Sequence, residues 1–144
     1  MELIESLKDF FQRVSPRYGI DIAFLYGSYA RGLPRADSDV DIAVLFSEEP
    51  SSEEESFEGI TDISLSLSRE VKWEVNLIEI HRDFRKPMLY YNAIVLGIAL
   101  YIREWSGYIT LRNEAIHQME DFSRLGIPWQ YEIARKNLEA IGHG

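Results

Sequence analysis

The stretch that decides the fold is Phe24–Phe46, F-L-Y-G-S-Y-A-R-G-L-P-R-A-D-S-D-V-D-I-A-V-L-F. An apolar run, Ile22 to Tyr26, stops at Gly27-Ser28, and a Gly/Pro-containing turn follows. Asp39 and Asp41 then lead into a second apolar run, Ile42 to Phe46. This pattern predicts two neighbouring strands with a phosphate-sized loop after the first and two carboxylates opening the second. Alternate residues of a strand share a face, about 6–7 Å apart along the chain. Asp39 and Asp41 therefore point together, while Val40 and Ile42 point into a core. Two carboxylates on one face repel each other unless a cation lies between them. Mg²⁺ suits the pair, because it takes one or two carboxylates together with substrate phosphates. Mn²⁺ suits the same oxygen donors.

The loop offers an anion site. Backbone N–H groups at the start of a short helix over Ser28–Arg31 would face a phosphate. Gly27 lets the backbone approach closely, and the Ser28 hydroxyl can donate to a phosphate oxygen. Arg31 and Arg35 lie on the same loop, and either guanidinium can pair with phosphate bidentately. Tyr26 and Tyr29, which flank Gly27-Ser28, read as packing residues.

These residues resemble the DNA polymerase β-like nucleotidyltransferases, and most closely their minimal members, the MNT domains. The family pattern is Gly-Ser, ten residues, then Asp-x-Asp. Here Gly27-Ser28 is followed by the ten residues Tyr29–Ser38 and then by Asp39-Val40-Asp41. The local wording G-S-Y-A-R-G and S-D-V-D-I-A-V-L also looks like the family. Neither Gly-Ser nor Asp-x-Asp is specific alone, but the joint spacing between two apolar strands is.

The resemblance implies an α/β (α+β) domain with a mixed-sheet core. It implies ATP as substrate, Mg²⁺ (or Mn²⁺) as cofactor, and Asp39 and Asp41 as metal ligands. Gly27 and Ser28 would hold the triphosphate, with Arg31 and Arg35 beside them. The reaction would transfer AMP to a hydroxyl. Within MNT domains the resemblance further implies the antitoxin of a toxin–antitoxin pair, whose acceptor is a tyrosine of a HEPN toxin. An antibiotic-modifying adenylyltransferase shares the core, but usually carries a larger extra domain.

The family has a third carboxylate on a later strand, in a V-D-L-like context. The matching stretch here is Val75-Asn76-Leu77, so Asn76 stands where Asp is expected. Asn has a carbonyl for a metal but no charge and no useful basicity. Glu74 shares the parity of Asn76, and Glu79 does not. Three outcomes stay open. Glu74 compensates, two carboxylates suffice, or the site binds nucleotide and metal with little turnover. In the last case the protein would neutralise its partner by contact alone.

The remaining chain reads as an alternation of helices and strands. Leu3, Leu7, Phe10, Phe11 and Val14 mark a helix over 2–15, ended by Pro16 and Gly19. Strands are expected over 20–27 and 39–46. Ser52 and Glu55 have capping-box spacing, and Phe57, Ile60, Ser64, Leu67 and Val71 mark a helical face. A third strand is expected over 71–80, a helix over 83–96 and an edge strand over 97–102. Helices over about 107–125 and 128–141 follow, separated by Gly126 and opened by Pro128. Residues 1–104 are thus expected to form the core and 105–144 a helical C-terminal extension of the same domain.

Arg112 and His117 fit Arg-x4-His, a motif of HEPN ribonucleases. It is short and easily matched by chance, and the expected reading is a surface helix.

Composition narrows the partners. The chain has 144 residues and a net charge of −9. Broad binding to nucleic acid needs a basic face, so a polymerase or RNA-tailing role is disfavoured, while a basic protein partner is compatible. Homo-oligomerisation stays open. The absence of cysteine excludes disulfides, zinc–thiolate sites and thiol catalysis. The longest apolar run, Ala93–Ile102, is too short to span a bilayer. Glu2 and Glu5 do not suit a signal peptide, which gives a cytoplasmic expectation.

Overall fold

The computed structural model describes residues 2–32, 39–125 and 135. Helix α1 spans Glu2–Tyr18, and its stripe of Leu3, Leu7, Phe10, Phe11 and Val14 is buried. The helix runs through Pro16 rather than ending there. Proline removes one hydrogen bond, to the carbonyl four residues back. Here that carbonyl belongs to Gln12, and both residues are exposed, so water can satisfy it. The chain leaves the helix at Gly19, whose φ is +67°.

Strands β1 (Ile20–Tyr26) and β2 (Val40–Phe46) are antiparallel neighbours at the centre of a four-stranded sheet. The order is β3-β2-β1-β4. β3 (Val75–Glu79) runs parallel to β2, and β4 (Ile98–Ile102) antiparallel to β1, so the sheet is mixed. β3 is shorter than the expected 71–80, because residues 72 and 73 bend before the ladder begins. β4 is an edge strand, as expected for this stretch.

Between β2 and β3 lies α2, Glu53–Glu70. Its N-cap is Ser52, whose hydroxyl accepts from the Glu55 backbone N–H at 3.1 Å. Glu55 returns the contact one residue early, accepting from the Ser51 N–H at 3.2 Å. The alternating Ile63–Ser68 segment is helical, with Ile63 and Leu67 on the buried side. α3 covers Pro87–Ile94, shorter than the expected 83–96. α4 covers Trp105–Leu125. The expected helix over 128–141 lies outside the described residues, apart from Arg135.

Three layers result. α1 and α2 pack on one face of the sheet, around Leu25, Val40, Ile42, Val44 and Leu77. α3 and α4 pack on the other, around Phe24, Tyr26, Ala43 and Leu45. Leu111 and Ala115 bring α4 into this second core. Strand parity assigns each side chain to its layer. Asp41 shares the parity of Ala43 and Leu45, so it lies on the α3/α4 side, at the edge of the apolar layer. No helix among the described residues is long and apolar enough to cross a membrane.

Candidate active site

β1 ends where β2 and β3 begin, and register brings their residues together. Tyr26 lies opposite Asp41 across the antiparallel pair. Asp41 lies beside Asn76 across the parallel pair. Residues paired in a ladder present their side chains to the same face, so Tyr26, Asp41 and Asn76 form a row. The Asn76 side-chain amide donates to Asp41 Oδ1 at 3.3 Å.

The next ladder bond runs from the Val40 N–H to the Glu74 carbonyl, at 2.8 Å. Carried one residue back, this register sets Asp39 beside Glu74. Both residues are exposed. Glu79 sits at the other end of β3, opposite Val44, and is no part of this row.

Gly27 closes the site from the β1 side. Its φ is +77°, a region L-residues rarely adopt. A Cβ there would stand 2.4 Å from Asp41 Oδ2, inside van der Waals contact. Glycine is therefore required twice, for its conformation and for the space that one carboxylate oxygen of Asp41 occupies. Sequence reading anticipated a close backbone approach at Gly27, but not that Asp41 would be what it approaches.

The loop itself departs from expectation. Residues 28–32 form turns rather than the start of a helix. The Arg31 N–H donates to the Gly27 carbonyl at 3.2 Å, and the Gly32 N–H to the Tyr29 carbonyl at 3.3 Å. Gly32 then takes φ +72°, which reverses the chain before a further helical turn can form. Ser28 is half-buried and the Arg31 side chain is exposed. Arg35 lies outside the described residues.

Tyr26 is buried, and its phenol is pushed up to about 12. Burial is the larger cause and the Asp41 charge the second. The packing role expected of Tyr26 is what the core contains. Its position opposite Asp41 is an added feature, legible only once register is known.

The donor set suits a hard cation. Asp39, Asp41, Asn76 and Glu74 offer oxygen ligands only, which is the chemistry of Mg²⁺ or Mn²⁺. Gly27 leaves one oxygen of Asp41 uncovered by a side chain on that flank. Among the described residues no group of three or more His, Cys, Asp or Glu is placed to hold a metal. Any ion here would therefore complete its shell from phosphate and water.

The polymerase β nucleotidyltransferase family model matches residues 5–105, which contain the whole sheet and every residue of this row. The chain belongs to that family. No curated protein matches the sequence significantly. Among solved structures, a double Asp-to-Glu mutant of the toxin–antitoxin MntA–HpeT is similar, with a TM-score of 0.65 at 16% identity. That likeness covers 92% of this chain and 96% of the other. A tri-AMPylated Shewanella oneidensis HEPN toxin in complex with MNT antitoxin gives a TM-score of 0.62 at 15% identity, covering 92% and 97%. A toxin–antitoxin with AMP-PNP gives 0.62 at 18%, covering 89% and 96%. At these identities the likeness is one of fold. The nucleotidyltransferase sheet with MNT architecture is thus the frame around Asp41.

The Arg112/His117 motif stays on the helix surface. His117 is exposed and pairs with Asp121 at 3.6 Å, one turn along α4.

Proposed function

We propose that the protein transfers AMP from ATP to a hydroxyl acceptor, a tyrosine of a partner HEPN toxin, as the MNT antitoxin of the pair. The observation that carries this reading is the position of Asp41, held between Gly27 and Asn76 at the mouth of the family's core. Residues 1–104 are the transferase core in this reading, close to the span of the family match. Residues 105–144 are its helical extension.

Gly27, Ser28 and the turn amides face the triphosphate, and Arg31 and Arg35 neutralise its charge. Asp39 and Asp41 would hold Mg²⁺ or Mn²⁺, which when bound would offset the charge on the phosphate oxygens. The acceptor oxygen forms a bond to the α-phosphorus. The bond from that phosphorus to the α–β bridging oxygen breaks, and pyrophosphate leaves with the electron pair. Asn76 has no affinity for the acceptor's proton. Glu74, set by register beside Asp39, takes it.

Asn76 also favours a second reading, in which the site binds nucleotide and metal but the partner is neutralised by contact. One experiment separates the two. ATP is titrated calorimetrically into the protein with Mg²⁺ and with EDTA, and into the Asp39→Asn/Asp41→Asn double variant. Each form is also co-expressed with a candidate HEPN partner, and that partner is analysed by mass spectrometry. The transferase reading expects metal-dependent ATP binding and AMP on a toxin tyrosine, both lost in the double variant. Neutralisation by the double variant without AMP on the toxin would establish the contact reading instead.

A further inference from the structure

The far end of β3 carries a second cluster, away from the row around Asp41. Glu79 closes the strand, and its side chain is only 5% exposed although it is a carboxylate. The Ser56 hydroxyl, from the first turn of α2, donates to Glu79 Oε1. His81 Nδ1 lies 3.4 Å from Oε2. A carboxylate offers about four acceptor positions, so two partners leave capacity over.

That capacity opens into space. Two cavities of about 200 and 310 Å³ share Glu53, Ser56, Glu79, His81 and Arg85 in their walls. The larger is also lined by Phe57, Ile60 and Leu77. Phe57 is 72% exposed, more than any other large hydrophobic side chain among the described residues. The cleft thus has a buried carboxylate at its base, an apolar wall and an exposed aromatic ring at its lip.

Its rim is acidic. Glu49 and Glu53 line the cavities, and neither forms an ion pair among the described residues. The cation on the opposite wall, Arg85, is already engaged. It meets Asp83 through Nε at 3.1 Å and Nη2 at 2.9 Å. The chain as a whole carries −9.

We infer that this cleft receives an arginine side chain from an exposed segment of a protein partner. The guanidinium meets Glu79 at the base, and its methylene stem lies along Ile60 and Leu77. The Phe57 ring covers the planar cation. An acidic rim steers a basic segment toward the anchor. The surface lies at the opposite end of β3 from Asn76, so the inference does not depend on nucleotide transfer.

The test uses the full chain labelled for amide NMR. The probe is the peptide acetyl-Leu-Arg-Leu-amide, compared with its citrulline counterpart, which has the same shape without the charge. The expected result is shifts centred on Ser56, Phe57, Glu79 and His81, with about tenfold weaker binding of the citrulline peptide. Glu79→Gln abolishes those shifts. Because Glu79→Gln disturbs a buried group, two surface variants stand beside it. Phe57→Ala weakens the peptide but leaves ATP binding unchanged. Glu53→Gln weakens it in low salt and has little effect in high salt. Equal binding of the citrulline peptide, shifts spread over the whole acidic surface, or no shifts at all would overturn the inference. So would self-association of the protein through the same resonances. The Asp39→Asn/Asp41→Asn variant binds the peptide normally, which keeps this outcome separate from the transferase test.

Discussion

The Asn76 amide donates to Asp41 Oδ1 at 3.3 Å across the parallel pair of β2 and β3. A neutral donor therefore stands where the resemblance led to an acid being expected. Without a cation this contact holds the Asp41 carboxylate in place. With a cation bound, the Asn76 carbonyl becomes a ligand only if the amide turns over.

Replacing Asn76 by Asp should change the protein's response to divalent metal. Two carboxylates in adjacent register repel, which costs about 1–2 kcal/mol at a partly exposed site. In EDTA the Asn76→Asp variant should melt below the parent. In Mg²⁺ it should recover more than the parent gains, because binding to the folded state adds stability. Under the proposed transferase reading, AMP transfer to the partner should also rise. Thermal unfolding of both proteins in EDTA and in Mg²⁺ is the check. Equal gains would mean that position 76 does not share a cation with Asp41.

Gly27 and Gly19 both have positive φ, and they separate strain from crowding. A Cβ at Gly19 would meet nothing within 4 Å, whereas one at Gly27 would stand 2.4 Å from Asp41 Oδ2. Gly19→Ala should cost about 1 kcal/mol, the conformational penalty alone. Gly27→Ala should cost roughly 2–4 kcal/mol and push the Asp41 carboxylate out of its row. Urea unfolding measures the first difference. Calorimetric ATP titration measures the second, where Gly19→Ala should match the parent and Gly27→Ala should bind at least about tenfold more weakly.

Tyr26 sets an alkaline limit on stability. Its phenol is pushed up to about 12 by burial first and by Asp41 second, against an ordinary value near 10. The folded state holds the proton more tightly than the unfolded chain. Its contribution is complete below about pH 10 and is lost as pH rises through about 12. A shift of this size corresponds to roughly 2–3 kcal/mol. Tyr90, also buried and shifted up, contributes a background in the same direction. Urea midpoints measured from neutral to alkaline pH should fall less steeply for Tyr26→Phe, which cannot ionise. Superimposed curves would place the alkaline limit elsewhere.

The fold was legible because its signals were local and repeated. The stripe from Leu3 to Val14 named the buried face of α1, and two apolar runs around Gly27-Ser28 and Asp39-x-Asp41 named the central strands. What escaped depends on long-range pairing. Nothing in the sequence says that Asp41 lies between Tyr26 and Asn76, or that Gly27 abuts its carboxylate, because those facts follow from register. Pro16 misled for a physical reason. A proline frees and crowds the carbonyl four residues back, but Pro16 lies in the last turn of α1, where both it and Gln12 are exposed, so the helix tolerates it. The Ser28–Arg31 helix failed because Gly32 adopts positive φ one turn too soon. The Glu79 cluster joins α2 to β3 over 23 positions in sequence, which no motif announces.

Ser15 gives a prediction about stability alone. It is completely buried on the inner side of α1, and its hydroxyl has no hydrogen-bond partner among the described residues. It directly precedes Pro16, where the helix already lacks one backbone bond. A buried hydroxyl without a partner loses its hydration and gains nothing in exchange, a penalty of about 1–3 kcal/mol. Alanine removes the hydroxyl, keeps the Cβ and has the higher helix propensity. Ser15→Ala should therefore raise stability by about 1 kcal/mol, while leaving ATP binding unchanged. Urea unfolding at neutral pH decides it. A loss of stability would mean that the hydroxyl does hold a bond, to an internal water or to a residue outside those described.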